Sequence, residues 1–186
     1  MDLNTKPRIL YLDVDDTLLV WTNKVHGFAA PMAAEFVTWA LEHFEVRWLT
    51  MWCPGGRMSQ QGCEELSYRF NSKIHPDVFR NIVNPRGFIN NKTEAVDFAD
   101  SRPWVWVEDN MVSYEKREMN QRNTLNNFYP TNVSHNVVVL QSTWRKLAKR
   151  FDLPGTPAMP FKTKSDIPVT PLTMEELLNK FRSGKI

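Results

Sequence analysis

Three carboxylates, Asp13, Asp15 and Asp16, crowd into four residues directly behind the apolar run Ile9-Leu10-Tyr11-Leu12. A short run without polar residues is the pattern of a strand buried on both faces. In a parallel α/β sheet, ligands bind just outside the carboxyl ends of such strands. Asp13 and Asp15 stand two apart, so on an ideal strand their side chains point the same way. Two like charges that close raise each other's pKa unless a cation lies between them. Oxygen-only ligands at a strand end suit Mg²⁺. Taken alone, the same triplet also fits a solvated acidic turn, and the rest of the chain decides between the two.

Two further apolar runs end in polar chemistry. Val46-Arg47-Trp48-Leu49 stops at Thr50, and Trp104-Val105-Trp106-Val107 stops at Glu108-Asp109, with Lys92 shortly before it. In a parallel sheet all three ends face one crevice. Together they could carry out phosphoryl transfer. A carboxylate such as Asp13 can attack phosphorus and form an aspartyl-phosphate. Asp15 can protonate the leaving oxygen and then take a proton from the attacking water. Asp109 would complete the metal site, with Glu108 in reach of a metal-bound water. The Thr50 hydroxyl and Lys92 ammonium can hold the non-bridging oxygens of a transition state that needs mainly positioning and charge neutralisation.

Asp13-Val14-Asp15-Asp16-Thr17 resembles the first motif of the haloacid dehalogenase-like (HAD) phosphohydrolases, a hydrophobic strand followed by Asp-x-Asp-x-Thr. Val46 to Thr50 is similar to the second motif, Lys92 to the third, and Glu108-Asp109 to the acidic pair of the fourth, in the family order. The resemblance implies a Rossmann-like parallel sheet flanked by helices and a Mg²⁺-dependent phosphomonoesterase. It makes Asp13 the nucleophile and Asp15 the acid/base, with Mg²⁺ held by Asp13, the backbone carbonyl of Asp15 and a fourth-motif carboxylate. A carboxylate at Asp15 points to phosphoester chemistry, because the dehalogenases and P-type ATPases of the superfamily lack one there. Two positions depart from the pattern. Asp16 replaces a frequent Gly, and Glu108 replaces an Asp, which leaves open whether Glu108 or Asp109 is the direct ligand, with Asp109 favoured. The segment Trp48-Leu49-Thr50-Met51-Trp52 and Trp104 to Asn110 also resemble a small actinobacterial and phage HAD subgroup linked to nucleic-acid end repair.

Positioning these residues requires a particular set of elements. Leu18 to Phe28 reads as a loop or small hairpin. Pro31 suits a first helical position, and Ala33, Phe36, Val37, Ala40 and Phe44 carry a helix to about Phe44. After the second strand come a Pro-Gly loop over Met51 to Gly56 and a helix from about Ser59 to Phe70. A short strand is expected over Asn81 to Val83 and a helix over Lys92 to Ala99. Beyond the third strand, a helix over Ser113 to Arg122 precedes a last strand over Val137 to Leu140. Ser142 or Thr143 then caps a helix carrying Trp144, Leu147, Ala148 and Phe151. Residues 1–152 form the HAD-like catalytic domain. Residues 153–186 read as a proline-rich linker and a helix with a capping box at Thr173 and Glu176, not as an independent domain.

Composition narrows the classes further. With 42% hydrophobic residues and seven Trp, the 186-residue chain cannot be a disordered one. It has no apolar run of membrane-spanning length and no signal-peptide core. Cys53 and Cys63 are too few for a disulfide framework, so a reduced, cytoplasmic setting is expected. Residues 141–186 hold nine Lys/Arg against four Asp/Glu, a basic tail behind a mildly acidic body.

Substrate size follows from spacing. Thirty-two residues separate Thr17 from Thr50 and forty-one separate Thr50 from Lys92, neither enough for a full α/β cap domain. An open site leans towards nucleic-acid ends or a phosphoprotein, with nucleotides also accommodated if Arg57, Arg69, Lys73, Arg80 and Arg86 line a partial lid. Thr17, Arg57, Trp52 and His26 are the candidate substrate-binding residues. Guanidinium binds phosphate bidentately, and Trp52, Trp21 or His26 could stack on a base, although Trp21 and Trp52 could equally cover the sheet edge. Two alternatives stand beside a nucleic-acid phosphatase: a catalytically silent HAD scaffold binding nucleic acid or a phosphorylated partner, and a protein phosphatase.

Overall fold

The computed structural model describes residues 7–21 and 27–154. His26, expected to bind substrate, nearly all of the proline-rich segment and the whole of the C-terminal helix expected from Thr173 therefore lie outside the described residues. Within them a four-stranded parallel sheet runs in the order β4-β1-β5-β6, from β1 (Ile9–Leu12), β4 (Glu45–Trp48), β5 (Trp104–Glu108) and β6 (Phe128–Pro130). A separate antiparallel hairpin, β2 (Leu19–Trp21) with β3 (Gly27–Ala29), follows the first strand. The chain is thus an α/β protein, and the expectation of a hairpin between Leu18 and Phe28 holds.

The central strand β1 is fully buried along its length, which is why its sequence shows no alternation. Its odd and even residues nonetheless serve different cores. Leu10 and Leu12, with Val46, Trp48, Val105 and Val107 of the neighbouring strands, pack beneath α1 (Ala33–His43), α2 (Gln60–Arg69), α3 (Pro76–Asn81) and α5 (Val139–Phe151). Ile9, Tyr11, Trp104 and Trp106 face the other way, onto Val96 and onto Met119 of α4 (Ser113–Gln121). Helices therefore cover both faces of the sheet. α1 and α5 lock through Trp144, which meets Phe36 and Trp39 ring to ring at 5.8 and 5.4 Å.

Several boundaries differ from the sequence reading, each for a local reason. Met32, not a residue before Pro31, caps α1, at the left-handed φ of 67°, so the helix begins two residues after the proline. α3 stands between the helix expected to Phe70 and the expected strand, and takes in Asn81, the first residue of that strand. His75 caps it by accepting from the Asp77 N–H, and Pro76 takes the first turn, where its missing N–H costs nothing. Val83 forms only an isolated bridge to Arg57. The helix expected over Lys92 to Ala99 is a single 3₁₀ turn, Lys92–Ala95, because the Asp97 N–H donates to the Tyr11 hydroxyl at 2.8 Å instead of continuing the helical ladder. Val137 to Leu140 is not a strand. α5 begins at Val139, so Ser142 and Thr143 lie inside the helix rather than capping it. The fourth strand is β6, which ends at a proline on the sheet edge, where a missing donor is tolerated. Among the described residues, no helix is long and apolar enough to cross a membrane.

Candidate functional site

β1 delivers Asp13 to the seam between strands. The Asp13 N–H donates to the Val107 carbonyl at 3.1 Å, extending the ladder one residue past the strand and leaving the residue 3% exposed. The chain then turns sharply. The Val14 carbonyl accepts from the N–H groups of both Leu18 and Leu19, at 2.8 and 3.0 Å, and the Thr17 hydroxyl comes back to donate to Asp13 Oδ2 at 3.3 Å. Asp16 sits in this turn at φ 55°. Aspartate is among the few residues other than glycine that tolerate this left-handed conformation. Here the Asp16 carboxylate accepts from the Ser134 hydroxyl, and its carbonyl accepts from the Val133 N–H at 2.7 Å.

The third apolar run brings Glu108 and Asp109 to the same edge, and Lys92 reaches in beside them. Lys92 Nζ donates to Asp13 Oδ1 at 2.9 Å and to Glu108 Oε1. The other Glu108 oxygen accepts from the indole N–H of Trp106 at 2.8 Å, two residues earlier on the same face of β5. The lysine's own backbone N–H donates to Glu115 of α4 at 2.9 Å. Asp109 is half-buried, and Asn132 donates to its Oδ2 at 3.4 Å. One carboxylate oxygen from each of Asp13, Glu108 and Asp109 lies within 4.8 Å of the others.

The electrostatics of this cluster are unbalanced. Burial pushes the Asp13 carboxyl above its usual range, against the opposing pull of Lys92. Burial and then the charge of Asp13 push Glu108 up more strongly, despite Lys92 and Trp106. Asp109 is also raised, by burial and by the charge of Asp16. Burial would lower the Lys92 ammonium, but the two carboxylates outweigh it and hold it above its ordinary value. One ammonium thus bonds two of the three clustered carboxylates. A set of hard oxygen donors with negative charge to spare fits a divalent cation such as Mg²⁺. Asp15 does not join that set with its carboxylate, which turns instead to two indoles. Trp52 Nε1 lies 3.0 Å from each Asp15 oxygen, and Trp21 Nε1 lies 3.2 Å from Oδ1.

Thr50 is fully buried at the end of the second strand, where its hydroxyl oxygen accepts from the Trp52 N–H at 3.3 Å. Arg57 is exposed, and its backbone bridges Val83; its side chain stays outside the hydrogen-bonded cluster. The structure therefore brings Asp13, Thr17, Lys92, Glu108 and Asp109 together and sets Asp15 beside Trp52. Sequence reasoning missed Trp106, Glu115, Asn132, Ser134 and Asn84. Asn84 is 2% exposed and donates to the carbonyls of Trp48 and Ala95 at 3.0 and 3.3 Å, tying the second strand to the turn that carries Lys92. The one signal available for it was the Asn84-Pro85 turn. Close packing of Gly56, where a Cβ would stand 2.1 Å from the Asn84 carbonyl oxygen, seats the loop after Thr50 on the same segment.

Fold and site together define a class: a parallel α/β protein with a buried carboxylate–lysine cluster at the carboxyl edge of its sheet. No family model, curated protein or solved structure matches the chain.

Proposed function

We propose that this chain is a Mg²⁺-dependent phosphomonoesterase of the HAD type, working through an aspartyl-phosphate on Asp13, with nucleic-acid ends or nucleotides as substrates. The observation that carries this is the single lysine shared by Asp13 and Glu108 at the end of adjacent strands, with Asp109 alongside. A nucleophilic carboxylate must be ionised and fixed. Lys92 supplies the compensating charge on one oxygen, and the Thr17 hydroxyl holds the other. Asp13 attacks phosphorus, the bond to the leaving oxygen breaks, and Asp15 gives that oxygen its proton. Asp15 then takes a proton from water as the water attacks the phosphoryl-Asp13, which frees phosphate and restores the Asp13 carboxylate and the protonated Asp15 carboxyl. Asp13, Asp109 and, through its neighbouring oxygen, Glu108 are the residues that would hold Mg²⁺. Bound there, the ion supplies neutralisation of phosphoryl charge.

Substrate size is supported by what the two inter-motif segments build. Among the described residues, 18–49 yields the hairpin, α1 and the sheet strand β4, and 51–91 yields α2 and α3. Cys63, Leu66, Phe70 and Phe79 of the second segment belong to the same hydrophobic core as Leu10 and Leu12. Neither segment has a core of its own, as a cap domain would need.

A panel of 3′- and 5′-phosphorylated oligonucleotides, mononucleotides, phosphopeptides and sugar phosphates tests the proposal, with Mg²⁺ and EDTA arms. Asp13→Asn is expected to remove turnover by at least about 10³-fold with an unchanged circular dichroism spectrum. Equal, negligible turnover by wild type and Asp13→Asn across the panel sinks it. Phosphopeptides turned over faster than oligonucleotides would redirect it to protein substrates.

A further inference from the structure

Asp13 and Asp15 are two residues apart, yet they are held by opposite kinds of partner. Asp13 faces an ammonium, whereas both oxygens of Asp15 face indole N–H groups. The indoles come from distant places in the chain. Trp21 is the last residue of β2, and Trp52 lies in the loop that follows Thr50. Each is anchored through its own backbone N–H, Trp21 to the Ser134 hydroxyl at 3.2 Å and Trp52 to the Thr50 hydroxyl at 3.3 Å. Arg69, from the end of α2, closes the arrangement. Its guanidinium stands 4.9 Å from the centre of the Trp21 ring and 5.9 Å from that of Trp52, and it donates to the Gly27 carbonyl at 2.8 Å. A side chain at Gly27 would come within 3.0 Å of that guanidinium and 3.1 Å of the Trp21 ring. Glycine there lets hairpin and helix approach.

We infer that Trp21 and Trp52 are positioning residues that aim the Asp15 carboxyl at the leaving oxygen, with Arg69 fixing the two rings. The inference rests on the phosphatase proposal and deepens it. An indole N–H is a donor only and does not titrate, so it orients a carboxyl without competing for the proton that the carboxyl must give and take. Two donors also leave part of the carboxyl's acceptor capacity free for the transferred proton. The nucleophile is held by a charged donor and the acid/base by neutral ones.

The test compares Trp52→Phe, Trp21→Phe, Asp15→Asn and the double variant Asp15→Asn/Trp52→Phe on two substrates with Mg²⁺: an aryl phosphate with a weakly basic leaving group and a simple alkyl phosphate. A mis-aimed acid matters most when the leaving oxygen needs its proton. Trp52→Phe should cost the alkyl phosphate about 30-fold in kcat and the aryl phosphate about 3-fold or less, within the span that general acid catalysis supplies. Trp21→Phe should show the same asymmetry on a smaller scale and serves if Trp52→Phe folds poorly. In the Asp15→Asn background, Trp52→Phe should add nothing. A readout independent of turnover is the indole N–H region of a ¹⁵N-tryptophan spectrum, where Asp15→Asn should move the two of seven resonances that Trp21→Phe and Trp52→Phe delete. Equal losses on both substrates, an additive double variant, or unmoved resonances overturn the clamp while leaving the phosphatase proposal standing. No Asp13-dependent turnover in wild type, with the two resonances still moving, overturns the phosphatase proposal and with it the clamp's catalytic task.

Discussion

The two ends of the parallel sheet carry charged groups of opposite design. At the amino-terminal edge, Glu45 and Asp100 meet Arg47 and Arg102. Arg102 bonds both carboxylates, and Arg47 pairs with Glu45 at 2.6 Å and with Asp100 at 3.7 Å. Among the described residues, two carboxylates there meet two guanidinium groups. Hydrogen bonds from Arg102 hold Asp100 at about 2, and those from Arg102 and Arg47 keep Glu45 low although burial alone would raise it. At the carboxyl-terminal edge, Asp13, Glu108 and Asp109 are all pushed upward around a single lysine. Both edges are built from the same strands, so fold alone does not set the difference. A network that serves stability closes its charges, and one that leaves them open is poised to take up a further cation or a reacting group.

The largest effect separating the edges should come from Lys92→Met. It removes the ammonium from between two buried carboxylates and should cost about 3 kcal/mol in a urea melt without added metal, together with at least about 10²-fold in turnover. Adding Glu108→Gln should return much of the stability and none of the activity. Arg102→Met, at the partly exposed edge, should cost about 1 kcal/mol or less and leave turnover unchanged. Comparable losses from the two substitutions would erase the distinction.

A smaller effect sharpens it from the ligand side. If the open edge takes up Mg²⁺, the ion should stabilise the wild type, by about 2.7 kcal/mol at a concentration one hundred times its Kd. Calorimetric melts with and without Mg²⁺ should show that gain intact in Asp100→Asn and mostly lost in Asp109→Asn. A gain that survives Asp109→Asn would place the ion elsewhere.

How much of this was visible in the chain depends on where each residue's partners come from. β1 and β5 were legible because central parallel strands are apolar on both faces, and β4, at the sheet edge, because Val46, Trp48 and Leu49 leave only Arg47 to interrupt it; Asp13, Thr50 and Glu108 were legible because they stand where those runs stop. β6 was not, since a three-residue edge strand ending in Pro130 is only half-buried and shows no run. Val137 to Leu140 misled for the opposite reason. Three valines and a leucine look like a strand, but Leu140 joins Trp144 and Leu147 on the buried face of α5. At the site, the groups that could do chemistry were readable by type and spacing. The bonds that orient them were not, because Glu115 to Lys92, Ser134 to Asp16 and Trp52 to Asp15 join residues 23 to 118 positions apart.

The smallest predicted effect tests the balanced edge by pH. Asp100 sits at about 2 in the folded chain against 3.8 in the absence of its partners, so the folded state prefers its ionised form. A carboxyl depressed in this way contributes stability that is complete above its unfolded value and fades as pH falls from about 4 to about 2. Asp100→Asn should therefore lie below wild type by about 1 kcal/mol or less at pH 6, and the two urea midpoints should converge as the pH approaches 2. Other carboxylates titrate in the same interval, but they do so in both proteins, so the difference between the two curves isolates Asp100. Aryl phosphate turnover at pH 7 should be the same for both. A gap that persists at pH 2 would assign the Asp100 contribution to packing rather than charge, and a fall in turnover would show that the two edges of the sheet are energetically joined.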